Sequence, residues 1–295
     1  MTAPPVLEAR GRRLALGERP WIMGVVNATP DSFSDVPGVD PVQRARALLA
    51  DGADLIDVGG ESGITGVPPV DADEEIARVA PVVERVAGEL GAVVSIDTYK
   101  PAVARAAIAA GASIVNDVSG LRDPGVADVC AETGAALVLM HTYAEPKVKL
   151  LDPALDERVE DDVVEFLWER MAVCAQRGVR ADQLVLDPGP DFGKTPHQTV
   201  RVLRDLERLV ALGRPVLLAV SRKDFVGAVT GRPPRERGAG TLAAIADGVA
   251  RGASILRVHD VAATRDFLAV RAVLSGQAEL DSQTQLDVAL RRQVR

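Results

Sequence analysis

The chain has 295 residues, enough for one large domain or two small ones, and its 47% of hydrophobic residues can form a sizeable core. Its formal net charge of −8 argues against binding nucleic acid over a broad face, so an anionic substrate would need a local basic pocket. It contains no apolar run of about 18 residues, the length of a membrane span, and no signal-like N-terminal stretch, so we expect a soluble cytoplasmic protein without a membrane partner.

Short apolar runs alternate with helical patterns along the chain. Residues 6–16 predict a small hairpin around Gly11, and residues 21–26 form the first buried strand, which ends at Asn27. Seven further apolar runs follow at 54–58, 93–96, 112–115, 136–140, 184–186, 215–220 and 255–256. Helical spacing lies between them at 41–53, 71–90, 125–133, 198–212, 241–251 and 261–274, with further helices after Pro101 and up to Gln176. We therefore predict an N-terminal cap (1–20), a barrel (21–275) and a polar tail (276–295).

This alternation predicts the fold class. Strands that alternate with helices form right-handed βαβ units and a parallel sheet. Eight such units in about 250 residues are typical of an α/β protein with a (β/α)8 TIM barrel. A doubly wound open sheet is the alternative, but no Gly-x-Gly-x-x-Gly follows the first strand, so its dinucleotide-binding version has no support.

Polar side chains follow the predicted strands where the strands end. They are Asn27, Glu61, Asp97, Asn116, His141, Asp187, Lys223, Arg257 and His259. Each alone has an ordinary explanation: Asp97 suits a helix cap before Pro101, and Asp187 suits a turn before Pro-Gly. Barrel active sites, however, lie at the carboxyl ends of the strands, so we expect these groups to converge on one site.

The types of these side chains indicate a ligand. Carboxylates and amides from the middle strands would hold a flat conjugated ring that carries N–H donors. Cations after the last two strands would hold a phosphate, together with backbone N–H groups at a helix start.

Eight stretches together resemble the dihydropteroate synthase family of pterin-binding barrels. They lie in order at 23–35 (Met-Gly-Val-Val-Asn-Ala-Thr-Pro-Asp-Ser-Phe-Ser-Asp), 57–62 (Asp-Val-Gly-Gly-Glu-Ser), 95–98 (Ser-Ile-Asp-Thr), 114–118 (Ile-Val-Asn-Asp-Val), 139–141 (Leu-Met-His), 186–194 (Leu-Asp-Pro-Gly and Phe-Gly-Lys), 221–223 (Ser-Arg-Lys) and 257–260 (Arg-Val-His-Asp). The resemblance implies a transferase of folate biosynthesis that joins a dihydropterin methyl pyrophosphate to 4-aminobenzoate and releases pyrophosphate.

The resemblance also implies roles for individual residues. The pterin ring would be held by Asp97, Asn116, Asp187 and Lys223, with Met140 lining its slot. The pyrophosphate would be held by Asn27, Arg257 and His259, with Mg²⁺ bound at Asn27. Phe33 and Asp35 would close over the site on the first loop, and Ser62 and Phe192 complete the binding residues. The catalytic set would be Asp35, Asp97, Lys223 and Arg257, and the family suggests a homodimer.

The second loop departs from the family pattern. Where the family continues after Glu-Ser with Arg-Pro-Gly, this chain has Gly63 and Ile64 at the arginine and proline positions. Ser62 keeps the hydroxyl, while Arg235 or Arg237 are candidates to supply the missing charge. A pterin-binding paralogue with weak condensation activity is therefore the alternative. A pterin-dependent methyltransferase on the same barrel is less favoured, because Ser-Arg-Lys and Phe-Gly-Lys match the synthase pattern.

Overall fold

A two-stranded antiparallel hairpin covers one end of the barrel. The computed structural model describes residues 6–17, 19–29, 39–61, 66, 68–148, 150, 157–287 and 290–291. In it, strands β1 (Val6–Ala9) and β2 (Arg12–Ala15) pair around Gly11. Leu7 and Leu14 of the hairpin pack against Met23 and Leu55, which lie inside the barrel. The hairpin therefore closes the end from which the barrel strands start, and leaves the other end for a site.

Eight parallel strands form the barrel, as the sequence predicts. They are β3 (Trp21–Asn27), β4 (Leu55–Gly59), β5 (Val93–Asp97), β6 (Ile114–Asp117), β7 (Ala136–Met140), β8 (Leu184–Asp187), β9 (Leu217–Leu218) and β10 (Ile255–Val258). Their order in the sheet is β8-β7-β6-β5-β4-β3-β10-β9. A parallel bridge between Leu186 and Val216 joins the two edges, so the sheet closes into a (β/α)8 TIM barrel.

The described helices surround this sheet. They are α1 (Pro41–Asp51), α2 (Ala72–Gly88), α3 (Pro101–Ala110), α4 (Gly125–Thr133), α5 (Val159–Gln176), α6 (Pro196–Arg204), α7 (Leu206–Val210), α8 (Asp224–Thr230), α9 (Gly238–Ala250) and α10 (Val261–Leu274). Helix α2 shows why they form here: Asp71 caps it by accepting from the Asp73 N–H, and Val79, Val83 and Val86 are buried at helical spacing. None of the described helices combines the length and apolar character that crossing a membrane requires.

Four elements differ from the sequence-based expectation. The helix expected at 198–212 is divided at Asp205 into α6 and α7, and the seventh strand is only two residues long. Helix α8 was not expected, and α9 begins at Gly238, although glycine disfavours helix interiors. A Cβ atom on Gly240 would lie 2.5 Å from a Val226 methyl group, so glycine is what allows α8 and α9 to pack this closely.

Candidate active site

A cavity of about 700 Å³ opens at the carboxyl ends of the barrel strands. Nine predicted site residues line it: Asn27, Asp97, Asn116, Met140, Asp187, Phe192, Lys223, Arg257 and His259. Glu61 lines it as well. The predicted residues Phe33, Asp35 and Ser62, and the atypical Gly63 and Ile64, lie outside the described residues. The strand ends therefore bring the described residues of the predicted site to one cavity, with the exception of His141.

Arg257 connects Asp97, which lines the cavity, with the fully buried Asp57. Its Nε donates to Asp57 at 2.7 Å, and its Nη2 donates to Asp97 at 2.8 Å. Asp97 is thus engaged with Arg257, and α3 begins without a side-chain cap, so the helix-cap interpretation of Asp97 is wrong. Asn116 completes the group, because its Nδ2 donates to Asp57 at 3.2 Å.

Asp57 is a site residue that the strand-end argument missed. It lies within β4 and is fully buried, and a carboxylate there interrupts the apolar run Leu-Ile-Asp-Val-Gly. This interruption could have identified Asp57 from the sequence, because a buried charge needs a partner. Within the described part of the chain, Oδ1 of Asp57 and Oδ1 of Asn116 are buried acceptors without a hydrogen bond. Acceptors of this kind suit a ligand that brings N–H donors.

Two carboxylates of the cavity, Asp97 and Asp187, have pKa values raised to near neutral pH. Burial raises the pKa of Asp97 to about 7: the charge of Arg257 opposes this change, and the charge of the neighbouring Asp57 contributes to it. Burial likewise raises the pKa of Asp187 to about 6, although the Gly189 N–H, which donates to it at 2.7 Å, and the charge of Lys223 both favour the ionised form. These two acids can therefore change protonation near neutral pH.

Lys223 and Phe192 form the wall beside Asp187. The Lys223 ammonium lies 4.2 Å from the centroid of the Phe192 ring, which is cation–π geometry. Burial lowers the pKa of Lys223, while Asp191 and Asp187 oppose that change. An aromatic face and a cation are therefore presented together in the cavity.

His259 and Ser221 lie next to the cations. The Ser221 hydroxyl is 2.9 Å from Nδ1 of His259, and the His259 carbonyl accepts from Arg44 at 3.1 Å. The Ser221 contact orients the imidazole, and together with Arg257 and Lys223 it makes this part of the cavity suitable for an anion.

The loops after β7 and β8 approach each other closely. Gly189 has φ +61°, and a Cβ there would lie 1.9 Å from the His141 carbonyl oxygen. The buried Lys194 joins the two loops by donating to the carbonyls of Gly189 (2.9 Å), Phe192 (3.2 Å) and His141 (3.3 Å). Burial lowers its pKa to about 7. Lys194 ends the Phe-Gly-Lys stretch of the sequence, but the resemblance to the family predicted no role for it.

His141 follows the end of β7 as expected, but it is not among the described residues that line the cavity. It is buried between Tyr143 and Phe166, with ring centroids 4.6 Å and 4.9 Å away in edge-to-face geometry. Burial, reinforced by the charge of Lys194, lowers its pKa well below the ordinary value. It is therefore a neutral histidine of the core.

Known proteins match the chain over most of its length. The family described as "Pterin binding enzyme" matches residues 23–259. The dihydropteroate synthase of Bacillus subtilis is 42% identical over 261 residues, which cover 87% of this chain and 89% of that protein. A Xanthomonas albilineans dihydropteroate synthase structure with 4-aminobenzoic acid superposes with a TM-score of 0.83 at 42% identity, covering 92% of this chain and 98% of that one. The same enzyme in complex with 7,8-dihydropteroate gives a TM-score of 0.80 at 43% identity, with 92% and 99% covered.

Proposed function

Because the chain belongs to the pterin-binding enzyme family, we propose that it catalyses the dihydropteroate synthase reaction. The reaction condenses 6-hydroxymethyl-7,8-dihydropterin pyrophosphate with 4-aminobenzoate to 7,8-dihydropteroate and pyrophosphate. The observation that carries the proposal is that one cavity contains both a carboxylate–amide set and a set of cations. The first set suits the pterin ring, and the second suits the pyrophosphate.

The ring is held by Asp97, Asn116 and Asp187 in this proposal. These side chains stand at or next to the carboxyl ends of β5, β6 and β8 and offer acceptors to the ring N–H groups. The unpaired Oδ1 atoms of Asp57 and Asn116 in the described structure support this assignment. Met140 ends β7 between Asn116 and Asp187 and supplies the apolar side of the slot.

The chemical step breaks the bond between the pterin methylene carbon and the pyrophosphate oxygen. The amine nitrogen of 4-aminobenzoate attacks the methylene carbon with its lone pair, the C–O electron pair leaves with pyrophosphate, and the amine loses a proton. Positive charge develops on the methylene and negative charge on the leaving group. Asp97 and Asp187 stabilise the first, while Lys223, Arg257 and His259 stabilise the second. No covalent enzyme intermediate is needed.

Mg²⁺ is proposed at Asn27. Among the described residues, no three His, Cys, Asp or Glu side chains are grouped as a metal site. Mg²⁺ commonly takes only one or two protein ligands and completes its shell with water and substrate phosphates, so the amide oxygen of Asn27 on the cavity wall fits this requirement. When bound, the ion would neutralise charge on the pyrophosphate. Asp35, Phe33 and Ser62 are proposed, from the family resemblance, to complete the site from the two loops.

A second candidate is a pterin-binding paralogue with weak or no condensation. The observation that favours it is Gly63-Ile64 at the positions where the family pattern has Arg-Pro. A homodimeric state and a cytoplasmic location stay predictions from the family resemblance and composition.

The test of the function is detection of the product. Purified protein is incubated with both substrates and Mg²⁺, and 7,8-dihydropteroate is quantified by mass spectrometry. We expect product with the wild type. Asp187→Asn should form at least a hundredfold less product, because it removes a charge that stabilises the transition state. Asp266→Asn on α10, where the side chain is 71% exposed, is the matched control and should act as the wild type. Absence of product with the wild type would reject the synthase function.

A further inference from the structure

Lys100 joins the two ends of the loop between β4 and α2. Its ammonium donates to Oε2 of Glu61 at 2.7 Å and to the Val70 carbonyl at 2.6 Å, which are the two ends of segment 61–70. Its third bond goes to Oε2 of Glu75 on α2 at 2.6 Å. An ammonium has three donors, so these bonds use all of them.

Glu61 is the acceptor at the centre of this group. Its Oε2 also accepts from the Val70 N–H at 2.9 Å, and its Oε1 accepts from the Tyr99 hydroxyl at 3.0 Å. Burial would raise the pKa of Glu61, but the Lys100 hydrogen bond and the other donors lower it. Glu61 is therefore ionised at neutral pH and holds the base of the loop.

Lys147 attaches the same loop to the segment after β7. Its Nζ lies 3.3 Å from Oε1 of Glu61, and its carbonyl accepts from the Gly66 N–H at 3.0 Å. The residue thus contacts the loop both at its base and within it. Lys147 has φ +67°, an unfavourable backbone conformation for a residue with a side chain, and its side chain is only 10% exposed. A strained and nearly buried lysine at a loop junction indicates a functional constraint.

This junction is part of the cavity wall. Glu61, Glu75, Tyr99 and Lys147 all line the cavity. The ring-binding carboxylates stand on strand ends, whereas these four residues lie on the loops, on α2 or just beyond β5. The cations expected to bind the pyrophosphate lie on or after β9 and β10, so the four residues suit the remaining part of the ligand that extends beyond the strand ends. In the synthase reaction that part is the aminobenzoate, which carries a carboxylate.

Among the described residues, the charges of the junction balance. Glu61 and Glu75 are offset by Lys100 and Lys147, so loss of Lys147 would leave one negative charge beside an anionic acceptor. Arg235 and Arg237, which the sequence suggested as sources of the missing charge, do not belong to this junction. Arg237 donates to the carbonyls of Arg222 and Lys223, and neither it nor the exposed Arg235 is among the described residues that line the cavity.

We propose that Lys147 is a positioning residue for the acceptor: through Glu61 and Gly66 it fastens the loop between β4 and α2 to the segment after β7, and it keeps this wall of the cavity neutral. The proposal rests on the synthase function. It predicts a specific defect in use of 4-aminobenzoate when Lys147 is replaced, with pterin binding preserved.

The test compares Lys147→Met, Lys147→Arg and the control Arg105→Met. Arg105 forms an exposed ion pair with Glu132 on the outer helices, so this control removes the same charge away from the cavity. We expect Lys147→Met to raise the KM for 4-aminobenzoate by about fivefold or more, while the Kd for the pterin pyrophosphate stays within about twofold. Lys147→Arg should restore the KM, and Arg105→Met should leave it unchanged.

Hydrogen exchange of the peptide covering 61–70 gives a measurement that does not need turnover. Lys147→Met should increase its deuterium uptake, and Lys147→Arg should not. An unchanged KM in Lys147→Met, no rescue by arginine, or equal losses for acceptor and pterin would each overturn the proposal. If the wild type gives no turnover, the synthase function fails, and the exchange result alone then decides whether Lys147 fastens the loop.

Discussion

Arg257 on β10 donates from Nη2 to the carboxylate of Asp97 on β5 at 2.8 Å, across the interior of the barrel. One residue is expected to bind the pyrophosphate and the other the pterin ring. Their pairing, with the second bond from Arg257 to Asp57, means that the anion-binding and ring-binding parts of the site are held together by one guanidinium. Loss of this group should affect stability and recognition together.

Arg257→Ala should therefore lower the free energy of unfolding by about 3 kcal/mol, because it leaves the fully buried Asp57 without its cation. The variant should also lose more affinity for the pterin pyrophosphate than for the free hydroxymethyl pterin. Chemical denaturation and calorimetry with both ligands measure the two effects. Arg105→Ala, which breaks an exposed pair, should cost less than about 1 kcal/mol. Equal affinity losses for the two ligands would show that Arg257 does not bind the phosphates.

Pterin binding should depend on pH through Asp97 and Asp187. Their pKa values are raised to about 7 and about 6, so each carboxyl is ionised above and protonated below that pH. A protonated carboxyl offers its own donor where the pterin N–H groups need an acceptor. The Kd for the pterin should therefore rise as pH falls through 7 and again through 6. The Asp97→Asn variant should bind the pterin more weakly at pH 8, and its Kd should no longer change as pH falls through 7. A Kd constant from pH 5.5 to 8.5 in the wild type would contradict this assignment.

Gly189→Ala should severely destabilise the protein, by more than about 3 kcal/mol, because its Cβ would overlap the His141 carbonyl oxygen at a left-handed φ of +61°. Gly213→Ala is the matched control: its φ is +76°, but a Cβ there meets no atom within 4 Å. It should cost about 1–2 kcal/mol from the backbone alone. Thermal unfolding of both variants measures the difference, and equal Tm values would refute the close contact between the two loops.

Gly63→Arg combined with Ile64→Pro should raise kcat/KM for 4-aminobenzoate. The expectation is sequence-based: one charge-assisted contact is worth about 1.5–3 kcal/mol, which corresponds to about tenfold to a hundredfold. Steady-state kinetics of the double variant against the wild type measures the change. A wild type that is already an efficient synthase, with no gain in the variant, would show that the chain does not need the family arginine.

The barrel was predictable because each strand is an apolar run that ends in a polar residue. The regular alternation of strands and helices is compatible with few topologies. The site residues Asn27, Asp97 and Lys223 follow from the rule that barrel sites lie at strand ends. Helix α4 and strand β7 have the predicted bounds, since glycine and the change of polarity define them sharply.

Other features depend on contacts between distant segments. The contact of Arg257 with Asp57 and the bonds of Lys194 to three carbonyls are set by how loops and strands pack, which the local pattern does not contain. The close packing of α8 on α9, where Gly240 meets Val226, is a further contact of this kind. His141 looked like its strand-end neighbours in the sequence, but its side chain packs between Tyr143 and Phe166.

The central claim is that the cavity condenses its two ligands. The measurement that tests it most directly is the rate of pyrophosphate release from the pterin pyrophosphate, with and without 4-aminobenzoate, alongside the dihydropteroate formed. The account predicts release that depends on 4-aminobenzoate and yields one dihydropteroate for each pyrophosphate. Tight binding of the pterin pyrophosphate with no dihydropteroate at saturating 4-aminobenzoate would contradict the account, and would identify the chain as a pterin-binding paralogue.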